Sequence, residues 1–122
     1  MEYIRAVDDK GRIYLKELVE KNSKLLGINE TGDKISLYSE EEAEKKVHEC
    51  KEDYKNAKGE ELIELLKRRY SQYCARLIDL HTDENGRITI PKKLLESIGV
   101  NPNDMVIITT DENETYIKKG NR

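Results

Sequence analysis

The sequence contains no phenylalanine and no tryptophan, so its seven tyrosines are its only aromatic residues. A hydrophobic core therefore has to be filled from Leu, Ile and Val. Only two prolines and two cysteines occur. The cysteines, at positions 50 and 74, are too few for a disulfide framework and read as free thiols in a reducing compartment. There is no apolar run near the ~18 residues that a membrane helix needs, and no leader-like segment, so the expected location is cytoplasmic and no membrane contact is foreseen. No nucleophile–base set, glycine-rich phosphate loop or specific carboxylate pair is present, so the chain does not read as an enzyme and no cofactor is expected. His48-x-Cys50 and Cys74 to His81 match no standard zinc-finger spacing, which argues against a metal site.

Charge is what the sequence has in plenty. Asp, Glu, Lys and Arg make up 39% of its 122 residues, and the formal net charge is −3. Any nucleic-acid surface must then be a local basic face on an acidic body. The length fits one compact domain that buries roughly two thirds of its unfolded surface.

Asp83-Glu84-Asn85-Gly86-Arg87-Ile88-Thr89-Ile90-Pro91 joins an acidic turn to an arginine, an apolar run and a proline stop. A near copy, Asp8-Asp9-Lys10-Gly11-Arg12-Ile13-Tyr14-Leu15-Lys16, lies 75 positions earlier. The chain thus reads as an internal repeat with an insertion. Asn85-Gly86 predicts a tight turn in which both residues take positive φ, and Lys10-Gly11 is a weaker version. Strand-like runs flank each turn: Tyr3 to Val7 and Arg12 to Leu15, then Leu77 to Leu80 and Arg87 to Ile90. After Pro91 the pattern predicts a helix over 92–98 with Leu94, Leu95 and Ile98 inward and Gly99 past its end. Strands at Met105–Thr109 and Thr115–Lys119 follow. In the first copy Leu18, Val19, Leu25 and Leu26 are expected on the helix face, with Gly27 matching Gly99 and a strand over Lys34–Tyr38. On that alignment the first copy lacks a last strand. Tyr14 reads as a packing residue.

Residues 39–76 read as an inserted antiparallel helical hairpin. Ser39 and Glu42 form a capping box, and Ala43, Val47, Cys50, Tyr54 and Ala57 mark a narrow apolar seam. Gly59 ends the first helix. The second, from Glu60-Glu61, has a broader face of Leu62, Ile63, Leu66, Tyr70, Tyr73 and Leu77. Lys67-Arg68-Arg69 lies mid-helix and reads as a solvated face.

The order hairpin, apolar run, proline, short helix, glycine and strand, with D-x-x-G-R in both copies, resembles the AbrB/MazE/SpoVT/MraZ superfamily of swapped-hairpin β-barrels, in a double-copy MraZ-like arrangement. The resemblance covers roughly residues 2–38 and 76–119. It implies an α+β fold: a swapped-hairpin (double-split) β-barrel made by two internal repeats, residues 1–38 and 77–122, with the helical hairpin 39–76 between them. It also implies a transcriptional regulator whose turn arginines contact double-stranded DNA. Carried over by position, Arg12 and Arg87 are the leading DNA-binding candidates, with Arg5, Lys10, Lys16, Lys92 and Lys93 beside them. Asp8 and Asp83 are expected to hold the turns or pin the arginines. Two further readings stand alongside: a protein-interaction or antitoxin-like module that has lost DNA binding, and self-association or a protein partner through the helical hairpin.

Overall fold

The computed structural model describes residues 1–21, 24–112 and 114–120, the side chains of 19–21 excepted. The chain runs β1 (Glu2–Ala6), β2 (Arg12–Tyr14), α1 (Lys16–Lys21), β3 (Leu25–Ile28), β4 (Lys34–Ser39), α2 (Glu40–Lys55), α3 (Glu60–Arg76), β5 (Ile78–Thr82), β6 (Arg87–Thr89), α4 (Lys92–Glu96), β7 (Met105–Thr110) and β8 (Thr115–Lys119). Strand order is β1-β7-β8-β4-β3-β5-β6-β2, and each pair is antiparallel. The result is a nearly closed eight-stranded barrel with four helices, the swapped-hairpin α+β architecture.

The swap is visible in the pairing. β2 pairs with β6 across the two halves, not with β1, the strand that precedes it. β1 pairs with β7, Tyr3 lying opposite Ile108, and β3 with β5, Leu25 lying opposite Leu80. The inward positions of the barrel strands and of the residues next to them form the main core, including Val7, Ile13, Ile35, Ile88, Val106 and Ile117, each fully buried. Every member of that buried cluster is Leu, Ile or Val, as the lack of Phe and Trp requires.

Three expectations for the first half are corrected. Leu25 and Leu26 are not on a helix face; they open β3, which hydrogen-bonds to β4 on one side and β5 on the other. Consecutive apolar residues suit a strand buried in the middle of a sheet as well as a helix stripe, and long-range pairing decides between them. Gly27 is not a helix stop either. It lies mid-strand, where an added Cβ would meet Leu80 Cδ1 at 3.1 Å and Leu94 Cδ2 at 3.4 Å. Since β3 exists, the first half keeps two strands after its helix, and none is missing. Val19 falls where side chains lie outside the described residues. In the second half, Leu94, Leu95 and Ile98 are buried and Gly99 takes φ +75° just past the helix, as expected, though α4 itself stops at Glu96.

The inserted helices form as the caps predict. Ser39 accepts the Glu42 amide and Glu42 reaches back to the Ser39 amide. α2 ends at Lys55, so Ala57 lies beyond it. Gly59, at φ +98°, precedes α3. The pair attaches to the barrel through a small cluster of Ile28, Tyr38 and Ala43, against which Leu26, Tyr73 and Leu77 pack. Glu30 reinforces this joint: its Oε1 accepts the hydroxyls of Tyr38 at 2.7 Å and Tyr73 at 3.3 Å. Arg76 donates to the carbonyl of Asn29 beside it. Replacing Glu30 with Ala removes one acceptor shared by the buried Tyr38 and the half-buried Tyr73. It is expected to cost about 1–3 kcal/mol and to speed hydrogen exchange in α3 more than in the barrel strands.

Candidate nucleic-acid interface

The site is built from the two turns. In the first, the Asp8 amide donates to the Arg12 carbonyl and the Gly11 amide to the Asp8 carbonyl, both at 3.1 Å. Asp8 Oδ1 accepts the amides of Lys10 at 2.9 Å and Arg12 at 2.8 Å, and Oδ2 accepts Arg12 Nε at 2.6 Å. The second turn repeats this bond for bond. Asp83 Oδ1 accepts the amides of Asn85 and Arg87, and Oδ2 accepts Arg87 Nε, all at 2.9 Å. Only the glycine of each turn has positive φ, +78° at Gly11 and +83° at Gly86. The expectation that Asn85 shares that conformation is corrected. The aspartate supplies the acceptor that organises the turn, so one left-handed residue is enough, and Lys10-Gly11 closes its turn with the same bonds as Asn85-Gly86.

The turns interlock. Leu15, at the end of the first hairpin, donates its amide to the Gly86 carbonyl of the second turn at 2.9 Å, and Ile90 donates to the Gly11 carbonyl at 2.9 Å. Lys16 lies against Gly86, and Pro91 and α4 follow directly on the contact with Gly11. Lys16 is thereby brought to the second turn, and Lys92 and Lys93 follow from the contact with the first.

Between the turns, β2 and β6 pair as a short ribbon at the end of the sheet, with β5 on the other side of β6. Ile13 and Ile88 point inward and are fully buried. Arg12 and Tyr14, and Arg87 and Thr89, are left on the outer face. Arg12 lies opposite Thr89 and Tyr14 opposite Arg87, so the two arginines are diagonal neighbours, roughly 7–8 Å apart at the backbone by general ribbon geometry. Their side chains keep 26% and 31% exposure. Each uses Nε for its aspartate, and the terminal guanidinium nitrogens have no partner among the described residues. Lys10, Lys16, Lys92 and Lys93 are exposed around this ribbon, Lys92 with its Nζ 3.9 Å from Glu96. The tips also expose Asp9 and Glu84.

Arg5 is placed elsewhere. It lies opposite buried Val106, on the inward side of β1. Its guanidinium donates to the carbonyls of Tyr14 at 3.3 Å and Ile4 at 2.9 Å, and stands 5.3 Å over the Tyr3 ring. It bridges the seam where β1 and β2 form no ladder. Its counterpart Leu80 faces a closed part of the barrel and simply fills core. Tyr14, expected to pack, is 47% exposed on the ribbon. The period-two pattern Arg-Ile-Tyr, with isoleucine inward, was the signal for it.

Both aspartates titrate below the ordinary carboxylate range. At Asp8 partial desolvation pushes the other way but is outweighed by the Arg12 amide, the Arg12 guanidinium and the Lys10 amide. At Asp83 the Arg87 amide leads, against desolvation, with the guanidinium and the Asn85 amide adding to it. A depressed folded pKa contributes stability that is present above the unfolded value, ~3.9, and lost as pH falls through the folded one. Acid unfolding followed by circular dichroism should therefore begin below about pH 4. Asp8→Asn/Asp83→Asn should flatten that part of the stability–pH curve and lower the plateau above it.

Residues 82–121, from the end of β5 through β8, match the family model described as antidote-toxin recognition MazE, bacterial antitoxin. Over these residues the chain is similar to the AbrB/MazE superfamily. It contains the second turn, Arg87, Lys92, Lys93 and α4. No curated protein matches the chain. Among the described residues no group of His, Cys, Asp or Glu is placed to hold a metal, and no helix is long and apolar enough to cross a membrane. Cys50 and Cys74 are both free thiols.

Proposed function

We propose that the protein is a cytoplasmic DNA-binding transcriptional regulator that lays the β2/β6 ribbon against duplex DNA. Arg12 and Arg87 make the central contacts, and Lys10, Lys16, Lys92 and Lys93 reach the flanking phosphates. The observation that carries this reading is the pair of aspartate-pinned arginines on one outward ribbon face. An arginine held at Nε by a carboxylate has lost most of its rotamer freedom before binding, while its terminal nitrogens remain for phosphate or a guanine edge. Arg5 belongs to the barrel seam rather than to this contact.

The halves 1–38 and 77–122 act in this proposal as two copies of one element about a pseudo-twofold axis, with 39–76 inserted. Supporting it, the two turns share their hydrogen bonds, and β7 lies between β1 and β8 as β3 lies between β5 and β4. Such a molecule offers two similar but unequal contact sets, suited to an imperfect palindrome.

A second reading has its own support: the same fold acting as an antitoxin-like protein-interaction module. The matched family is described by antidote–toxin recognition, both arginines are paired, and the net charge is −3. The test between them is fluorescence anisotropy with mixed-sequence duplex DNA at two salt concentrations. Salt-sensitive binding is expected. No binding at low salt by the folded protein would leave the protein-interaction reading in place.

A further inference from the structure

The helical pair is poorly covered. Across α2 and α3 only Ala43 is buried, and α3 has no buried residue at all. The residues through which the two helices meet, such as Tyr54 and Tyr70 with ring centroids 5.7 Å apart, remain half-buried. On the flank of α3 beside that contact, Leu62 and Leu65 keep 46% and 45% exposure, the largest apolar exposure in the hairpin. They lie three residues apart, on one side of the helix. Two packed helices normally depend on further burial for their stability, and among the described residues this flank stays nearly half exposed.

The charges beside the leucines select what covers it. α3 is acidic before them and between them, at Glu60, Glu61 and Glu64, and basic after them, at Lys67, Arg68 and Arg69. A polyanion would meet the acidic half, and a uniformly acidic or basic partner would be repelled by one end. A second α3 running antiparallel meets opposite charge at both ends, whereas a parallel one meets like charge. We propose that α3 is a self-association surface. Two copies cross antiparallel about a twofold axis between Leu62 and Leu65, burying these leucines against each other and setting Glu61, which flanks the leucine stripe, toward the partner subunit's Arg68 on the same flank. The dimer carries two barrels and hence two ribbon faces, but the surface itself does not depend on what the ribbons bind.

The test is sedimentation equilibrium of the full chain over a wide concentration range. Wild type should move from monomer to dimer with rising concentration. Leu62→Glu/Leu65→Glu should raise the dissociation constant at least about 100-fold, the loss of roughly 3 kcal/mol expected when two leucine contacts become like-charge contacts. Because both leucines are exposed in the monomer, its melting curve should match that of the wild type at low concentration. Glu60→Lys/Glu61→Lys/Glu64→Lys and Lys67→Glu/Arg68→Glu/Arg69→Glu should each be monomeric alone and form a heterodimer when mixed. A wild type that stays monomeric throughout, a leucine double variant that dimerises like the wild type, or charge variants that self-associate unchanged would each overturn the proposal.

Discussion

Replacing Arg12 and Arg87 together with alanine is expected to weaken duplex DNA binding at least 30-fold and to flatten its salt dependence. If each arginine makes one bidentate contact worth roughly 1–3 kcal/mol, losing both costs about 2 kcal/mol or more. Where the contacts are to phosphates, each lost one also lowers the log–log salt slope by about 0.9. The net charge falls from −3 by two, so a control must remove equal charge elsewhere; Lys45→Ala/Lys58→Ala does so at exposed positions of the helical hairpin. The aspartate variants complete the comparison. Asp8→Asn/Asp83→Asn removes the pin and two negative charges, so it should lower thermal stability while leaving or increasing DNA affinity. If the arginines were only hairpin-closing partners, the arginine and aspartate variants would lose stability alike and DNA binding would follow neither. Anisotropy and thermal melts on the same four proteins separate the two outcomes.

The second large effect concerns the interlock. A Cβ at Gly11 would stand 2.7 Å from the Ile90 carbonyl oxygen, and one at Gly86 would stand 2.9 Å from Lys16 Cα, while both glycines have positive φ. Gly32 and Gly59 also have positive φ but open space around them. All four alanine variants therefore carry the backbone term, on the order of 1 kcal/mol or somewhat more. Only Gly11→Ala and Gly86→Ala add an overlap with backbone that cannot rotate away, about 1–3 kcal/mol more. Thermal melts should place those two well below Gly32→Ala and Gly59→Ala, by roughly 4 °C or more for each additional kcal/mol. Equal midpoints across the four would mean that the turns do not press on one another as described.

These same glycines mark where the sequence could be read and where it could not. The D-x-x-G-R turns were legible because every group that makes them lies within five consecutive residues: the carboxylate, the amides it accepts and the left-handed glycine. The capping box at Ser39 was legible for the same reason. Leu25-Leu26-Gly27-Ile28 was not. Its identity as a strand depends on β5, more than fifty residues further on, and on Leu94, which fills the space that a Gly27 side chain would take. The site divides in the same way. Arg12 and Arg87 could be picked out by position in the motif. That they share a face with Tyr14 depends on the β2–β6 pairing, which only the folded chain supplies. Arg5 was singled out by its distance from the turn, yet its place opposite Val106 turns it into the seam.

The cross-half pairing also governs how the molecule is made. β1 has its ladder partner in β7, about a hundred residues later, and the Met1 amino group meets the Thr110 carbonyl at 2.9 Å. A ribosome releases the chain N-terminus first, so the first turn, Arg12 and β1 emerge long before anything they pair with exists. α2 and α3, whose contacts are local, can form while the rest is still being translated. The barrel has to wait for nearly the whole chain and then close its longest loops at once. High contact order of this kind slows folding, and until β7 appears the nascent chain carries unpaired strand edges that are open to other nascent chains.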